Sequence, residues 1–199
     1  MRQLLIATKN AHKTNEIRAI LGEAWAVSDL TVFPEHESPE ETGETFAENA
    51  VIKAVAASRI FPGLVLADDS GLEVDALGGA PGVFSARYAG PNATDAENRL
   101  KLLRELAKIA GADRRARFRC AIALAQNGTV LGAFSGTVEG AILKRECGSG
   151  GFGYDSLFAP AGYQGTFAEL PAAVKHRFSH RARALADVTE FLLAPNGVP

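Results

Sequence analysis

Apolar residues fall in short bursts along the chain, and polar residues punctuate them at regular places. Leu4-Leu5-Ile6-Ala7 is too short for a helix and reads as a buried strand. Thr8 to Lys13 is polar, and Ile17, Ile20 and Leu21 then recur at helical spacing up to Gly22, a suitable helix stop. Ala26 to Phe33 predicts a second strand, and the acidic stretch Glu35 to Glu44 a loop. Thr45 with Glu48 is a capping box, so a helix is expected there with Phe46, Ala50, Ala54 and Ala57 on its buried stripe. Leu64 to Ala67 predicts a third strand that ends in Asp68-Asp69-Ser70-Gly71, residues that favour turns. A second capping box, Thr94 with Glu97, predicts a helix burying Leu100, Leu103, Ala107 and Ala110 and closed by Gly111. Phe118, Cys120, Ile122 and Leu124 alternate as in a strand, and Asn127-Gly128 predicts a tight hairpin. The return strand runs to Leu143, with Gly132, Gly136 and Gly140 as candidate bulges or bends. The basic cluster Lys175 to Arg181 opens the last predicted helix, with Ser179 as its N-cap, Leu185, Val188 and Leu192 buried, and Pro195 ending it.

Strands separated by helical stretches predict an α/β fold. If strands one and three lie parallel in one sheet, the Thr8–Lys13 loop and Asp68-Asp69 share an edge, where open α/β sheets bind ligands. A helix start suits phosphate, because its amides are unpaired and carry partial positive charge. Lys13 in the first turn opposes the helix dipole, a conflict that a phosphate ligand would remove. The loop lacks the glycines of a Walker A motif, and a plain solvated connection remains the other reading. Phosphate with a divalent metal uses both the cation and the carboxylates, and magnesium prefers such oxygen ligands. Neighbouring residues of a strand point to opposite faces, so spacing does not say whether Asp68 or Asp69 serves.

Composition narrows the picture. The 199 residues are 47% hydrophobic, enough for one sizeable domain or two small lobes, and the formal net charge of −2 offers no bulk attraction to a nucleic acid polymer or an anionic membrane. Cys120 and Cys147 are far apart and lack metal-ligand spacing. The N-terminal apolar run is too short for a signal peptide or a membrane span, so a cytoplasmic protein is expected. In Cys147 to Asp155 the glycines allow close backbone approach to a ligand, and an exposed aromatic there would stack on a nucleobase. The donors of Lys175, His180 and Arg181 suit carbonyl oxygens, such as the 6-keto group of a purine.

Taken together, Thr8-Lys9-Asn10 with Lys13, Glu41-Thr42-Gly43, Glu48-Asn49-Ala50, Ala67 to Leu72, Gly78 to Gly82 with Ser85 to Tyr88, Gly150 to Asp155, and Lys175 with Ser179 to Arg181 resemble one family over essentially the whole chain. It is the non-canonical purine nucleoside triphosphate pyrophosphatases, also called inosine triphosphatase-like or Ham1-like proteins. The resemblance implies an α/β fold with a long twisted mixed sheet flanked by helices, and two lobes around a central substrate cleft. It implies one nucleotide pyrophosphatase domain over residues 1–199, the second lobe mainly about 115–160, and a homodimer. The implied reaction is magnesium-dependent hydrolysis of ITP, dITP and XTP to the monophosphate and pyrophosphate. Asp69 would be general base and metal ligand, and Glu41 a second ligand. Thr8, Lys9, Asn10, Ala11, His12 and Lys13 would hold the triphosphate, and Ser70 would contact substrate. Phe152 would stack on the base in a pocket shaped by Gly153, Tyr154 and Asp155, with Lys175, His180 and Arg181 reading the 6-keto group. Lys9 stands where many relatives have glycine. A Maf-like pyrophosphatase and a non-catalytic nucleotide-binding module are the alternatives. The Phe152 loop and Ser179-His180-Arg181 argue against the first, and intact Glu41 and Asp69 against the second.

Overall fold

The structure, a computed structural model, describes residues 2–194; Pro195, the expected stop of the last helix, lies outside them. Strand β1 (Arg2–Ile6) pairs in parallel with β2 (Trp25–Asp29) and with β3 (Leu64–Val74). The sheet continues through β4 (Arg115–Gln126), β5 (Thr129–Ile142) and β6 (Phe158–Pro160) in the order β2-β1-β3-β4-β5-β6, and β6 runs antiparallel to β5. It is therefore a mixed sheet, as expected. Asn127 and Gly128 join β4 to β5 with φ of 51° and 77°, the left-handed pair that a two-residue hairpin turn requires.

Helix α1 (Ala11–Leu21) follows β1, α2 (Phe46–Ser58) precedes β3, α3 (Asp95–Ala107) precedes β4, and α4 (Ala172–Phe178) and α5 (His180–Leu193) close the described chain. Both capping boxes form, Thr45 with Glu48 and Thr94 with Glu97. Each satisfies two amides that the helix start leaves unpaired, contributing about 1 kcal/mol.

The chain divides into two compact units. The first takes in Met1–Asp69, Cys120–Gly136 and His180–Pro199. Its core packs Leu4, Ile6, Ile17, Leu64, Leu66, Ile122 and Leu124 with Leu185, Val188 and Leu192 of α5. Gly136 of β5 is essential to that packing: a Cβ there would overlap the His180 carbonyl oxygen and lie 2.6 Å from the Ala184 backbone nitrogen. The glycine therefore lets a helix pass close to the strand. The second unit takes in Ser70–Arg119 and Thr137–Ser179, with Leu72, Val74, Leu102, Leu106, Phe118, Phe158 and Phe167 in its core.

Four local expectations change. β2 stops at Asp29, because the Asp29 side chain accepts from the Thr31 amide (3.0 Å) and caps a 3₁₀ turn over Leu30–Val32. β3 does not end at its acids but runs on to Val74; turn-forming residues stay extended because Asp68, 1% exposed, finds cations in place of water. α3 ends at Ala107 and turns its face, burying Asn98, Leu102 and Leu106 and leaving Leu100 47% exposed. Asn98 sets that rotation, since its side chain accepts from the Ala89 amide (2.7 Å) and donates to the Ala86 carbonyl (3.1 Å). Finally, the basic cluster belongs to two helices. Lys175, His176 and Arg177 end α4, where cations suit the dipole, and extended Ser179 separates them from α5.

Candidate active site

In the first unit, β1 leads into a loop whose side chains build a helix start. Thr8 Oγ1 accepts from the Asn10 amide (3.1 Å), and Asn10 Oδ1 accepts from the amides of His12 (2.9 Å) and Lys13 (3.3 Å). Thr8 and Asn10 thus shape the loop that opens at Ala11, with His12 exposed in the first turn. Lys9 turns toward the acidic loop and donates to the carbonyls of His36 (3.0 Å) and Pro34 (3.5 Å). Parallel pairing of β1 and β3 brings Lys13 to the acids, as the sheet-edge argument expects, and its Nζ lies 2.6 Å from Asp68 Oδ1.

Asp68 is a hub. Arg181 Nε (2.9 Å) and Cys120 Sγ (3.0 Å) donate to its Oδ2, and Arg181 also pairs with Glu16. Burial alone would raise the Asp68 pKa, but the charges of Arg181 and Lys13 outweigh it and hold the carboxyl well below the usual range. The neighbouring Cys120 thiol is pushed well up by burial and by Asp68, so it stays protonated and donates. Arg181 is 1% exposed. Arg181 stands in the first turn of α5, where a cation opposes the helix dipole, and the carboxylates of Asp68 and Glu16 offset that conflict.

Asp69 departs toward other partners. Its Oδ1 accepts from Lys53 Nζ at 2.6 Å, and Lys53 also reaches Glu41 Oε1 (3.1 Å) and the Asp68 carbonyl (3.0 Å). Burial raises the Asp69 pKa above the ordinary carboxylate value, with Lys53 pulling against it; Lys53 is itself shifted up by Asp69 and Glu41, against its burial. The second carboxylate oxygen, Asp69 Oδ2, is buried with no hydrogen-bond partner among the described residues. Among those residues, no three His, Cys, Asp or Glu side chains cluster as a metal cage. Magnesium commonly takes one or two carboxylates and completes its shell with water and substrate phosphates. Glu41 and Asp69, two hard oxygen donors drawn to one point with a spare buried oxygen, fit that habit. Lys53 is the site residue that sequence reasoning missed. The signal was a lysine on the Ala50–Ala54–Ala57 stripe of α2, a position where a long cation has to reach an anion.

In the second unit, Phe152 to Asp155 form a tight turn. Asp155 Oδ2 accepts from the Phe152 amide (3.0 Å) and from Lys175 Nζ (2.5 Å). Lys175 lies 5.3 Å from the centroid of the Phe152 ring, within cation–π range. Tyr154 is buried, with its phenol donating to the Ser85 carbonyl (2.9 Å) and its pKa raised by burial. Ser85 also accepts from the Leu72 amide (2.9 Å) and donates to the Gly82 carbonyl (2.6 Å). The Gly78–Tyr88 segment thereby ties β3 to the aromatic turn. Ser70 is half-buried on β3, and His180 is buried at the start of α5. Among the predicted site residues, then, the structure groups Lys13, Glu41, Asp69 and Arg181 around the β3 acids, and Phe152, Gly153, Tyr154, Asp155 and Lys175 around one turn.

A parallel strand edge bearing a capped helix start and carboxylate–ammonium pairs is the anatomy of an α/β protein that handles phosphate groups. A family model, that of the Ham1 family, matches residues 4–191, and the chain belongs to this family. It is 49% identical to the dITP/XTP pyrophosphatase of Geobacter sulfurreducens over 193 residues, 96% of this chain and 97% of that protein. The dITP/XTP pyrophosphatase of Halalkalibacterium halodurans is 48% identical over 193 residues, covering 96% of this chain and all (100%) of that protein. Among solved structures, a HAM1 protein from Coxiella burnetii superimposes with a TM-score of 0.86 at 42% identity, over 96% of this chain and 98% of that one. The Staphylococcus aureus Ham1 protein does so with a TM-score of 0.83 at 40% identity, over 96% and 98%. The α/β architecture expected from the sequence is the one these structures share.

Proposed function

We propose that this chain hydrolyses the purine nucleoside triphosphates ITP, dITP and XTP to the monophosphate and pyrophosphate, keeping such nucleotides out of DNA and RNA. Membership of the Ham1 family and near full-length identity to proteins named dITP/XTP pyrophosphatase support this reading. The structural observation that carries it is the Asp69 carboxylate, with one oxygen on Lys53 and the other buried without a hydrogen bond among the described residues. That is a base held in place with one oxygen to spare.

Asp69 orients a water and takes its proton as the oxygen attacks the α-phosphorus; the bond to the bridging oxygen breaks and pyrophosphate leaves. Lys13 offsets the negative charge gathering on the leaving group, and Lys53 holds Asp69 and Glu41 in register. Glu41 and Asp69 would hold magnesium, which supplies charge neutralisation at the phosphates, usually a dominant contribution in phosphoryl chemistry. Thr8, Asn10, Ala11, His12 and Lys13, with Ser70, take the triphosphate, while Lys9 supports the loop that leads to Glu41. Phe152 stacks on the base beside Gly153, Tyr154 and Asp155, while Lys175, His180 and Arg181 favour a 6-keto purine. The protein works in the cytoplasm as a homodimer, and among the described residues no helix is long and apolar enough to cross a membrane.

The test is an assay of ITP, dITP, XTP, ATP and GTP side by side with magnesium and product identification. Preferred turnover of the first three to monophosphate and pyrophosphate is expected. Release of inorganic phosphate would overturn the cleavage site, and binding without turnover would revive a non-catalytic role. Asp69→Asn is expected to abolish turnover while the melting temperature stays near that of the parent.

A further inference from the structure

The turn that carries Phe152 is held by α3, a helix to which the proposed reaction gives no part. Three consecutive peptide groups are each fixed by one side chain. Asp155 Oδ2 takes the Phe152 amide (3.0 Å), Asp95 Oδ2 takes the Gly153 amide (2.7 Å), and Arg99 Nη1 donates to the Gly153 carbonyl (2.8 Å). The first two contacts lie on either side of the Phe152 Cα, so they set its φ and ψ and thereby the direction in which its Cα–Cβ bond leaves the backbone. The third fixes the next peptide, where Gly153 is left-handed at φ 60°. Asp95 and Arg99 stand four residues apart, on one face of the first turns of α3, so a single rigid element offers an acceptor and a donor to one residue. Arg99 is itself steadied by an ion pair with Glu146 at 2.8 Å.

We infer that Asp95 and Arg99 are positioning residues for the nucleobase: they hold the Phe152 ring ready to stack before the purine arrives. The inference rests on the base-stacking role given to Phe152 above. Stacking on an aromatic side chain strengthens base binding, and much of that gain is lost if binding must also order the platform. Neither residue touches the reacting phosphate in this scheme. Loosening the clamp therefore weakens recognition of the base and spares the chemical step.

The experiment compares Asp95→Ala and Arg99→Met with their conservative counterparts Asp95→Asn and Arg99→Lys. The readouts are kcat and KM for ITP, inhibition by pyrophosphate, and calorimetric binding of IMP, which carries the base. The disruptive variants are expected to raise the ITP KM and the IMP dissociation constant about five- to tenfold, with kcat and pyrophosphate inhibition within about twofold of the parent. Asn and Lys should recover most of the loss. Unchanged KM and IMP binding would overturn the inference, as would pyrophosphate inhibition weakening in parallel, which marks a purely structural role. A parent protein that binds IMP but turns over no ITP would sink the proposed function alone, and the variants' IMP binding would still decide the clamp. A parent that neither binds IMP nor turns over ITP overturns both. Should Arg99→Met fail to fold, Asp95→Ala, altered at an exposed first-turn position, carries the test.

Discussion

Asp68 and Asp69 are adjacent in sequence and opposite in environment. Asp68 is locked by Lys13, Arg181 and Cys120 and kept anionic, whereas Asp69 is raised by burial and held by one ammonium. A locked carboxylate organises its neighbours, and a carboxylate with a spare oxygen is the one available for chemistry. Removing Lys53 leaves Glu41 and Asp69 facing each other without the cation between them. Lys53→Met is expected to lower kcat about 10²-fold, the usual scale for loss of one preorganised electrostatic contact, and steady-state assay of ITP hydrolysis reads it. Lys9 points to a different outcome. Its ammonium serves the carbonyls of Pro34 and His36, in the loop that leads to Glu41. Lys9→Gly is therefore expected to leave the ITP KM within about threefold of the parent. A much larger rise would make Lys9 a direct phosphate ligand.

Elements here are set by what their side chains must reach. Gly136 has no room for a Cβ beneath α5, so Gly136→Ala is expected to cost about 1–3 kcal/mol, lowering the melting temperature by roughly 2–4 °C per kcal/mol. Scanning calorimetry checks this. Asp29 joins β2 to α1 by accepting from Thr14 Oγ1 (2.8 Å) while capping the turn at Thr31. Burial pushes its pKa up, but the hydrogen bonds from Thr31 and Thr14 outweigh it and leave the folded pKa below the unfolded one. The folded state thus binds this proton less readily than the unfolded chain does. Its contribution is present above about pH 4 and fades as pH falls through the folded pKa. Asp29→Ala is expected to cost about 1 kcal/mol near neutrality, with the gap to the parent closing in acid. Urea denaturation at pH 7 and pH 3 shows the difference. Both features left partial traces in the chain. Gly136 reads as a strand glycine without its helix, and Asp29 sits inside an apolar run that looks like continuous strand.

In the molecule as a whole, a protein built to bind a nucleotide gains stability from it. Saturating IMP with magnesium is expected to raise the melting temperature, by about 2.7 kcal/mol of added stability at a hundredfold excess over Kd; the same concentration of AMP should raise it less. Light scattering should give twice the 21.0 kDa of one chain if the homodimer expected of this family forms. Much of this protein was legible along the chain. Hydrophobic periodicity, two capping boxes and Asn127-Gly128 are local signals, because burial stripes, helix caps and tight turns depend on residues a few positions apart, and they placed most helices, the hairpin and the α/β class. The motif series from Thr8 to Arg181 pointed to the Ham1-like family. What local patterns could not carry was pairing over long separations. That Arg181 meets Asp68 and Glu16, that Lys53 joins Glu41 to Asp69, and that α3 grips Gly153 each depend on backbones packed from distant segments. Buried charge has no sequence-local partner to announce it, because the cost of desolvation is met only by whichever opposite charge the fold delivers.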